Sequence, residues 1–250
     1  MNIKLVISYD GTNYFGWQKT PFGKSIEETL EKAIGIVLQE KVSLEAASRT
    51  DRGVHAEGQV VRFSTSQTIL DLRKLKKRIN SLLPKDISIL SIEEKSEEFH
   101  PTLSTTGKEY HYYICKGLFQ LPHNRYFSWH FASDLCLEAM REEAKILIGT
   151  HDFSAFCNEQ KQNPENKVRT LFSIEIIPLE ENRIKISMKG NHFLYKMVRN
   201  IVGSLVYIGC GKLKPNSLLE ILKSQDRKKA GLTAPAKGLR LHKVFYDLKK

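Results

Sequence analysis

The sequence predicts an α+β fold built in two halves. Three observations predict it. The chain starts on a strand-period alternation, with Ile3, Leu5, Ile7 and Tyr9 on one face and Lys4, Val6 and Ser8 on the other. Helical periodicity with a start signal follows at Ser25. Strand and helix patterns then alternate until they break around Ser104-Thr105-Thr106-Gly107, after which a second set of strands and helices begins. The boundary is accordingly set at 105/106, giving halves of 1–105 and 106–250. Residue-level internal repetition is not evident, so a duplication is not established by the sequence.

In the first half, Asp10-Gly11-Thr12-Asn13 ends the opening strand as a turn. Ser25-Ile26-Glu27-Glu28 is a capping box, and Ile26, Leu30, Ala33, Ile34, Val37 and Leu38 then share one helical face. Val42 to Ala47 and Gln59 to Phe63 read as strands, the second rich in Val and Phe. The stretch between them is polar, and Gly53 and Gly58 suit tight turns at either side of it. Leu72, Leu75, Ile79, Leu82 and Leu83 line a second helix that stops before Pro84, and Arg73, Lys74, Lys76, Lys77 and Arg78 form its other face. Asp86 to Ile92 is the next strand.

In the second half, Tyr110 to Cys115 is a strand, Pro122 to His130 is irregular and aromatic, and Ser133 to Ile148 is a helix with Leu137, Met140, Ala144 and Ile148 on one side. Asn158 to Asn166, polar and containing Pro164, is a loop. Val168 to Ile177 and Arg183 to Lys189 make an antiparallel pair, in which Ile184, Ile186 and Met188 alternate with Lys185, Ser187 and Lys189. His192 to Tyr207 is an apolar helix that carries Lys196, Arg199 and Asn200; Pro215 to Lys223 is a short helix; Leu239 to Leu248 is the last strand.

A chain of 250 residues can bury a sizeable core, and 41% hydrophobic with 27% charged residues is ordinary for a globular protein. The charge balance is not ordinary. Against 28 Asp and Glu stand 39 Lys and Arg, a net +11 that favours a polyanionic partner, nucleic acid first and an anionic membrane surface second. No apolar run approaches the roughly 18 residues of a membrane span, and the start shows no signal-peptide pattern. The four cysteines, at 115, 136, 157 and 210, lack metal-ligand spacing and read as reduced thiols of a cytosolic protein. His55, His100, His151 and His192 are likewise not spaced as metal ligands, and no glycine-rich loop of the ATP-binding kind occurs.

The chemistry concentrates in Ser48-Arg49-Thr50-Asp51-Arg52-Gly53-Val54-His55-Ala56-Glu57-Gly58-Gln59-Val60-Val61-Arg62-Phe63, where Asp51 stands between two guanidiniums. Taken alone, an Asp beside Arg is usually a surface ion pair. The whole stretch, however, resembles the catalytic motif of the tRNA pseudouridine synthase A family. So do, in order, Tyr9 to Thr12, Tyr14 to Gln18, Phe99-His100, Gly149 to Phe156, Met197 to Ser204 and Pro235 to Leu239. The resemblance runs from about residue 3 to 247. Two departures stand out: Ser48 where the family commonly has Gly, and Pro101-Thr102 where it often has Ala-Arg.

The resemblance implies an isomerase that converts uridine to pseudouridine in the tRNA anticodon stem-loop, at positions 38 to 40. It implies two α+β halves about a mixed, mainly antiparallel sheet with a basic cleft, and a homodimer. Asp51 matches the catalytic aspartate, which the first half supplies and the second half completes. Three routes stay open to its carboxylate: attack on the sugar, addition to the uracil ring, or removal of a sugar proton to form a glycal. Tyr110, in Tyr-x-Tyr, resembles the tyrosine that stacks on the detached uracil; its plain alternative is strand packing, the reading preferred for Tyr112 and Tyr113. Arg49 resembles the arginine that occupies the gap left by the flipped base. Arg199, on an apolar helix, is expected to pair with Asp51 or else to snorkel to solvent. Leu239 resembles the apolar residue against the base; alone it reads as core. The basic runs at 73–78 and 227–229 are expected to contact phosphates or to be solvated faces. No cofactor and no metal are expected. A synthase for another RNA, or a non-catalytic RNA-binding protein of the same fold, are the alternatives.

Overall fold

The computed structural model describes residues 1–159 and 165–247. Among them are ten strands and five α-helices. The chain divides into two compact units, Met1–Thr106 with Arg240–Lys250, and Gly107–Leu239. The fold class is α+β with mixed, mostly antiparallel strand pairing, as the sequence predicts. No described helix is long and apolar enough to cross a membrane.

In the first unit β1 (Asn2–Tyr9) runs antiparallel to both β3 (His55–Ser64) and β4 (Ile87–Lys95). Its alternation works as read: Ile3, Leu5, Ile7 and Tyr9 are buried. Between β1 and β3 comes α1 (Ile26–Leu38), where Ser25 Oγ accepts from Glu28 N–H and the six residues of the apolar face are buried. Arg240 and Leu241 of β10 (Leu239–Phe245) pair with His55 and Ala56 of β3 in parallel, so a segment from the end of the chain joins the first unit.

Val42 to Ala47 is not a full strand. Only β2 (Glu45–Ala46) pairs, antiparallel to β3. The strand after the polar loop begins earlier than Gln59, at His55, so the loop is shorter. Gly58 therefore makes no turn. It lies inside β3, where a Cβ would stand 2.5 Å from the His242 carbonyl oxygen, so it permits close approach of backbone. In α2 (Leu72–Leu82), Leu75 and Ile79 are buried and the helix ends before Pro84, but Leu82 points to solvent. Asp71 caps its start through Lys74 N–H.

In the second unit β5 (Gly107–Lys116), β9 (Arg183–Gly190) and β8 (Val168–Leu179) form an antiparallel run, with β7 (Gly149–Asp152) beyond β8 and β6 (Trp129–Phe131) parallel to β5. Ile184, Ile186 and Met188 are fully buried. Two helices start later than their hydrophobic patterns. α3 (Leu137–Ile146) begins four residues after Ser133; Leu147 is buried just beyond it, whereas Ile148 is exposed. α4 (Met197–Gly209) begins after Lys196, whose left-handed backbone ends the preceding loop, so Lys196 is not a helical residue. α5 (Ser217–Ser224) is the short helix. The buried carboxylate of Glu143 on α3 accepts from the backbone N–H of Asn216 and of Leu218, satisfying donors at the start of α5. Most of the predicted loop at 158–166, and Leu248 of the predicted last strand, lie outside the described residues.

Candidate active site

Asp51 opens a four-residue turn. Val54 N–H donates to the Asp51 carbonyl at 3.1 Å, and Gly53 takes the left-handed φ of +76° that the turn demands. The approach to the turn is fastened on both sides. Ala47 N–H donates to Val60 O at 2.8 Å, and Gln59 Nε2 donates to Ser48 O at 2.5 Å. Thr50 is held twice, by Trp17 N–H to its carbonyl at 3.0 Å and by a 2.8 Å contact of its hydroxyl with that of Tyr9.

The motifs near the N-terminus prove to be the cradle of this turn. Gly16, at φ +98°, lies so close that a Cβ would stand 2.7 Å from Thr50 O and 3.1 Å from the Asp51 carbonyl carbon. A Cβ on Gly11 would stand 2.0 Å from Val54 O, and Gly11 N–H donates to Nδ1 of buried His55 at 3.1 Å. Asp10 closes the turn after β1 by accepting from Thr12 N–H and its hydroxyl. Tyr14 is anchored by its hydroxyl to Asp86 at 2.6 Å, and burial together with that carboxylate pushes its pKa up. Asp51 itself is half-buried and Arg49 is exposed.

The first unit also explains the departure at Pro101-Thr102. Thr102 Oγ1 donates to Ala46 O at 2.9 Å, and His100 Nδ1 accepts from the N–H groups of Thr102 and Leu103. This hydrogen-bonded corner stands where the family often has a cation, and it braces the strand that leads into the Asp51 loop.

Tyr110, Arg199 and Leu239 stand in the second unit. Tyr110, on β5, is 7% exposed, with its ring edge-on to Phe193 at 5.0 Å. Arg199, on α4, is locked to Ala234 in both directions: its Nε donates to Ala234 O at 2.7 Å, and Ala234 N–H donates to Arg199 O at 3.1 Å. Tyr112 is fully buried, as the packing reading had it, and its hydroxyl donates to Pro235 O at 2.8 Å. Burial drives its pKa up, partly opposed by the charge of Arg199. Gly238 lies close against that ring, since a Cβ would meet Tyr112 Cζ at 2.5 Å, and Leu239 follows it, buried. Arg199, Tyr112 and the 234–239 segment are thus one packed group.

Three residues of this unit have surroundings that the sequence did not foretell. Asn200 is completely buried; its Nδ2 donates to Phe156 O at 2.7 Å and to Asn158 Oδ1 at 2.8 Å. Its Oδ1 accepts from Thr233 Oγ1 and from Arg227 Nη2. Arg227 also donates to Gly231 O and Thr233 Oγ1. The guanidinium of Arg227 is thus engaged within the protein and is not part of a merely solvated face, whereas Lys228 and Lys229 are exposed. The third is Lys108 on β5, whose burial pushes its pKa down to about 8. Burial, Lys108 and Arg169 together depress His192. Of the α2 run, Lys76 and Arg78 are tied to the carbonyls of Leu90 and Val37, while Arg73, Lys74 and Lys77 are exposed.

The first unit thus presents a carboxylate on a braced turn, and the second, by itself, an aromatic strand residue and a clamped arginine. A model of the tRNA pseudouridine synthase family matches residues 5–102 and 144–247. The chain belongs to that family, and as such is an isomerase. It is 54% identical over 246 residues to tRNA pseudouridine synthase A 2 of Protochlamydia amoebophila (strain UWE25), covering 98% of this chain and 94% of that protein. It is 44% identical over 247 residues to tRNA pseudouridine synthase A of Thermoanaerobacter sp. (strain X514), covering 98% and 99%. The enzyme of that name from Chlamydia muridarum (strain MoPn / Nigg) is 45% identical over 246 residues, with 98% and 91% covered.

Proposed function

We propose that this protein isomerises uridine to pseudouridine in the anticodon stem-loop of tRNA, at positions 38 to 40, with Asp51 as its catalytic carboxylate. The reaction breaks the C1′–N1 bond, forms a C1′–C5 bond and moves one proton from C5 to N1. No electron enters and no water is consumed, so the step balances without a cofactor. It asks for an ionised carboxylate, a surface on which the loosened base can turn, and cations that steady the RNA. Asp51 supplies the first, Tyr110 with Leu239 the second, and Arg49 and Arg199 the third.

The target is paired in its stem, so it is flipped out at a cost of a few kcal/mol that phosphate contacts offset. Arg49, exposed two residues before Asp51, is suited to fill the vacated gap. The observation that carries the reading is the turn itself. Asp51 sits at the head of a turn fixed by Tyr9, Gly16, Trp17 and Gln59, and residues that hold an exposed ion pair need no such bracing. A homodimer working in the cytoplasm is proposed as well, as the family resemblance suggests; sedimentation at micromolar concentration tests the dimer.

The test is incubation of unmodified tRNA with the purified protein, with and without a chelator, followed by chemical mapping of pseudouridine. Product in the anticodon arm in both samples is expected. Product only outside the anticodon arm would overturn the assigned target. No product would leave a binding protein, and loss with chelator would overturn the cofactor-free step.

A further inference from the structure

Next to Asp51 in sequence is Arg52, which neither the family motif nor the chemistry above uses. Its guanidinium lies over the ring of Phe15 at 4.1 Å from the centroid. Arg52 is exposed, and Phe15 is itself 36% exposed. A large aromatic in a braced loop would ordinarily be covered; this one is held in place instead. Phe15 N–H donates to Lys24 O at 2.9 Å, and Gly23 lies so close beneath the ring edge that a Cβ there would stand 2.5 Å from Cδ2 and Cε2. The residue after Phe15 is Gly16, which packs on the Asp51 turn. The pair is thus fixed to the same frame as the carboxylate.

We propose that Phe15 and Arg52 form a stacking platform for an unpaired nucleobase of the RNA beside the target uridine. The guanidinium is planar and delocalised; it lies over Phe15, and the residue is exposed, so a base can reach it. Arginine in this posture stacks on a base as well as attracting phosphate, which an ammonium cannot do. Holding the side chain on the ring before RNA arrives removes part of the rotamer entropy that an exposed arginine would lose on binding. A platform here steadies the neighbouring base while the target leaves its stem, and so serves the flipped state without touching the reacting atoms. The idea rests on the RNA-modifying function proposed above.

The experiment compares Arg52→Ala, Arg52→Lys, Phe15→Leu and the double variant Arg52→Ala/Phe15→Leu in dissociation constant for an unmodified tRNA transcript, in its salt dependence and in single-turnover pseudouridine formation. Loss of one stacked base weakens binding by about tenfold. Arg52→Lys is expected to show this roughly tenfold loss while keeping the wild-type salt slope, because its charge remains, and Arg52→Ala to show it with a flatter slope and a further loss at low salt. Phe15→Leu is expected to lose an amount comparable to Arg52→Lys, and the double variant no more than Arg52→Ala alone, because the two side chains act as one unit. Full affinity and rate in Arg52→Lys would reduce Arg52 to a phosphate contact and overturn the platform. So would wild-type affinity in all variants. If wild-type protein made no pseudouridine but the variants still lost RNA affinity in this pattern, the platform would stand and the assigned reaction would fall; an active wild type with unaffected variants gives the reverse.

Discussion

Both units set backbone closely on backbone beside their candidate groups, through Gly11 and Gly16 in the first and Gly203 in the second, but they differ in how far side chains extend the hold. In the first, Asp51 rides on a turn gripped by main chain. Two glycines, Gly11 and Gly16, let one loop lie directly on another, and backbone bonds from Ala47 to Val60 and from Trp17 to Thr50 share the fastening with the side chains of Tyr9 and Gln59. In the second, Arg199 belongs to a helix whose neighbouring loop is held by side chains: Asn200, Ser204, Arg227 and Thr233 share one hydrogen-bond network. The difference teaches where each site tolerates change. Main-chain contact has no slack, because a backbone atom cannot rotate out of the way. A side-chain network can lose a member and repack, at the cost of the polar groups left behind.

Substitutions grade that difference. Gly11→Ala is expected to do the most damage, because its Cβ would stand 2.0 Å from the Val54 carbonyl oxygen and one loop must move. The expected loss is about 3 kcal/mol or more of stability, read by denaturant unfolding. Arg227→Ala comes next. It strips a donor from Asn200 Oδ1 and from Gly231 O, and a loss of about 2 kcal/mol is expected. A decrease in activity beyond that explained by unfolding would show that the network positions Arg199. If Arg227→Ala proved costlier than Gly11→Ala, the contrast between the units would be wrong. Tyr9→Phe removes only the hydroxyl that meets Thr50 and should cost about 1 kcal/mol.

The smallest effect concerns pH. Lys108 titrates at about 8 in the fold, below its unfolded value, because burial penalises its charge. Between that pKa and the unfolded pKa the unfolded chain binds the extra proton. Stability from this group therefore rises as pH rises through that window and is lacking below it. Lys108→Met should flatten that part of the stability profile; an unaltered profile would show that the lysine is not the titrating group.

The contrast also governs what was legible in the sequence. The strand faces of β1 and β9 and the capped α1 were readable because their signals are local and periodic. The Asp51 region was readable as a contiguous motif, but the use of Tyr9, Gly11 and Gly16 was not, since nothing in a one-dimensional pattern says which loop a glycine lies against. Gly58 shows this most clearly: read as a turn residue, it is a strand residue that makes room for the His242 carbonyl. The network around Arg199 was less legible still. Asn200 and Arg227 are distant in the chain, and a basic run such as 227–229 looks like a solvated face until one of its members is found turned inward. The helix starts of α3 and α4 were misplaced because hydrophobic periodicity continues through the loops that precede them.

The most direct test of the account is the carboxylate itself. Asp51→Asn keeps the shape and the hydrogen-bond acceptor of the side chain but removes its charge, its nucleophilicity and its basicity. The measurement is single-turnover pseudouridine formation beside tRNA affinity at fixed salt. Each factor of ten in rate is about 1.4 kcal/mol of barrier, and loss of the carboxylate is expected to lower the rate by several powers of ten. RNA affinity should hold or tighten slightly, because phosphate contacts elsewhere supply most of it and one negative charge has gone. A variant that binds as the wild type does and turns over within about tenfold of it would be the result expected of a surface ion pair, worth at most about 1 kcal/mol. Asp51 would then be out of the chemistry, and the assignment of the site would fall with it.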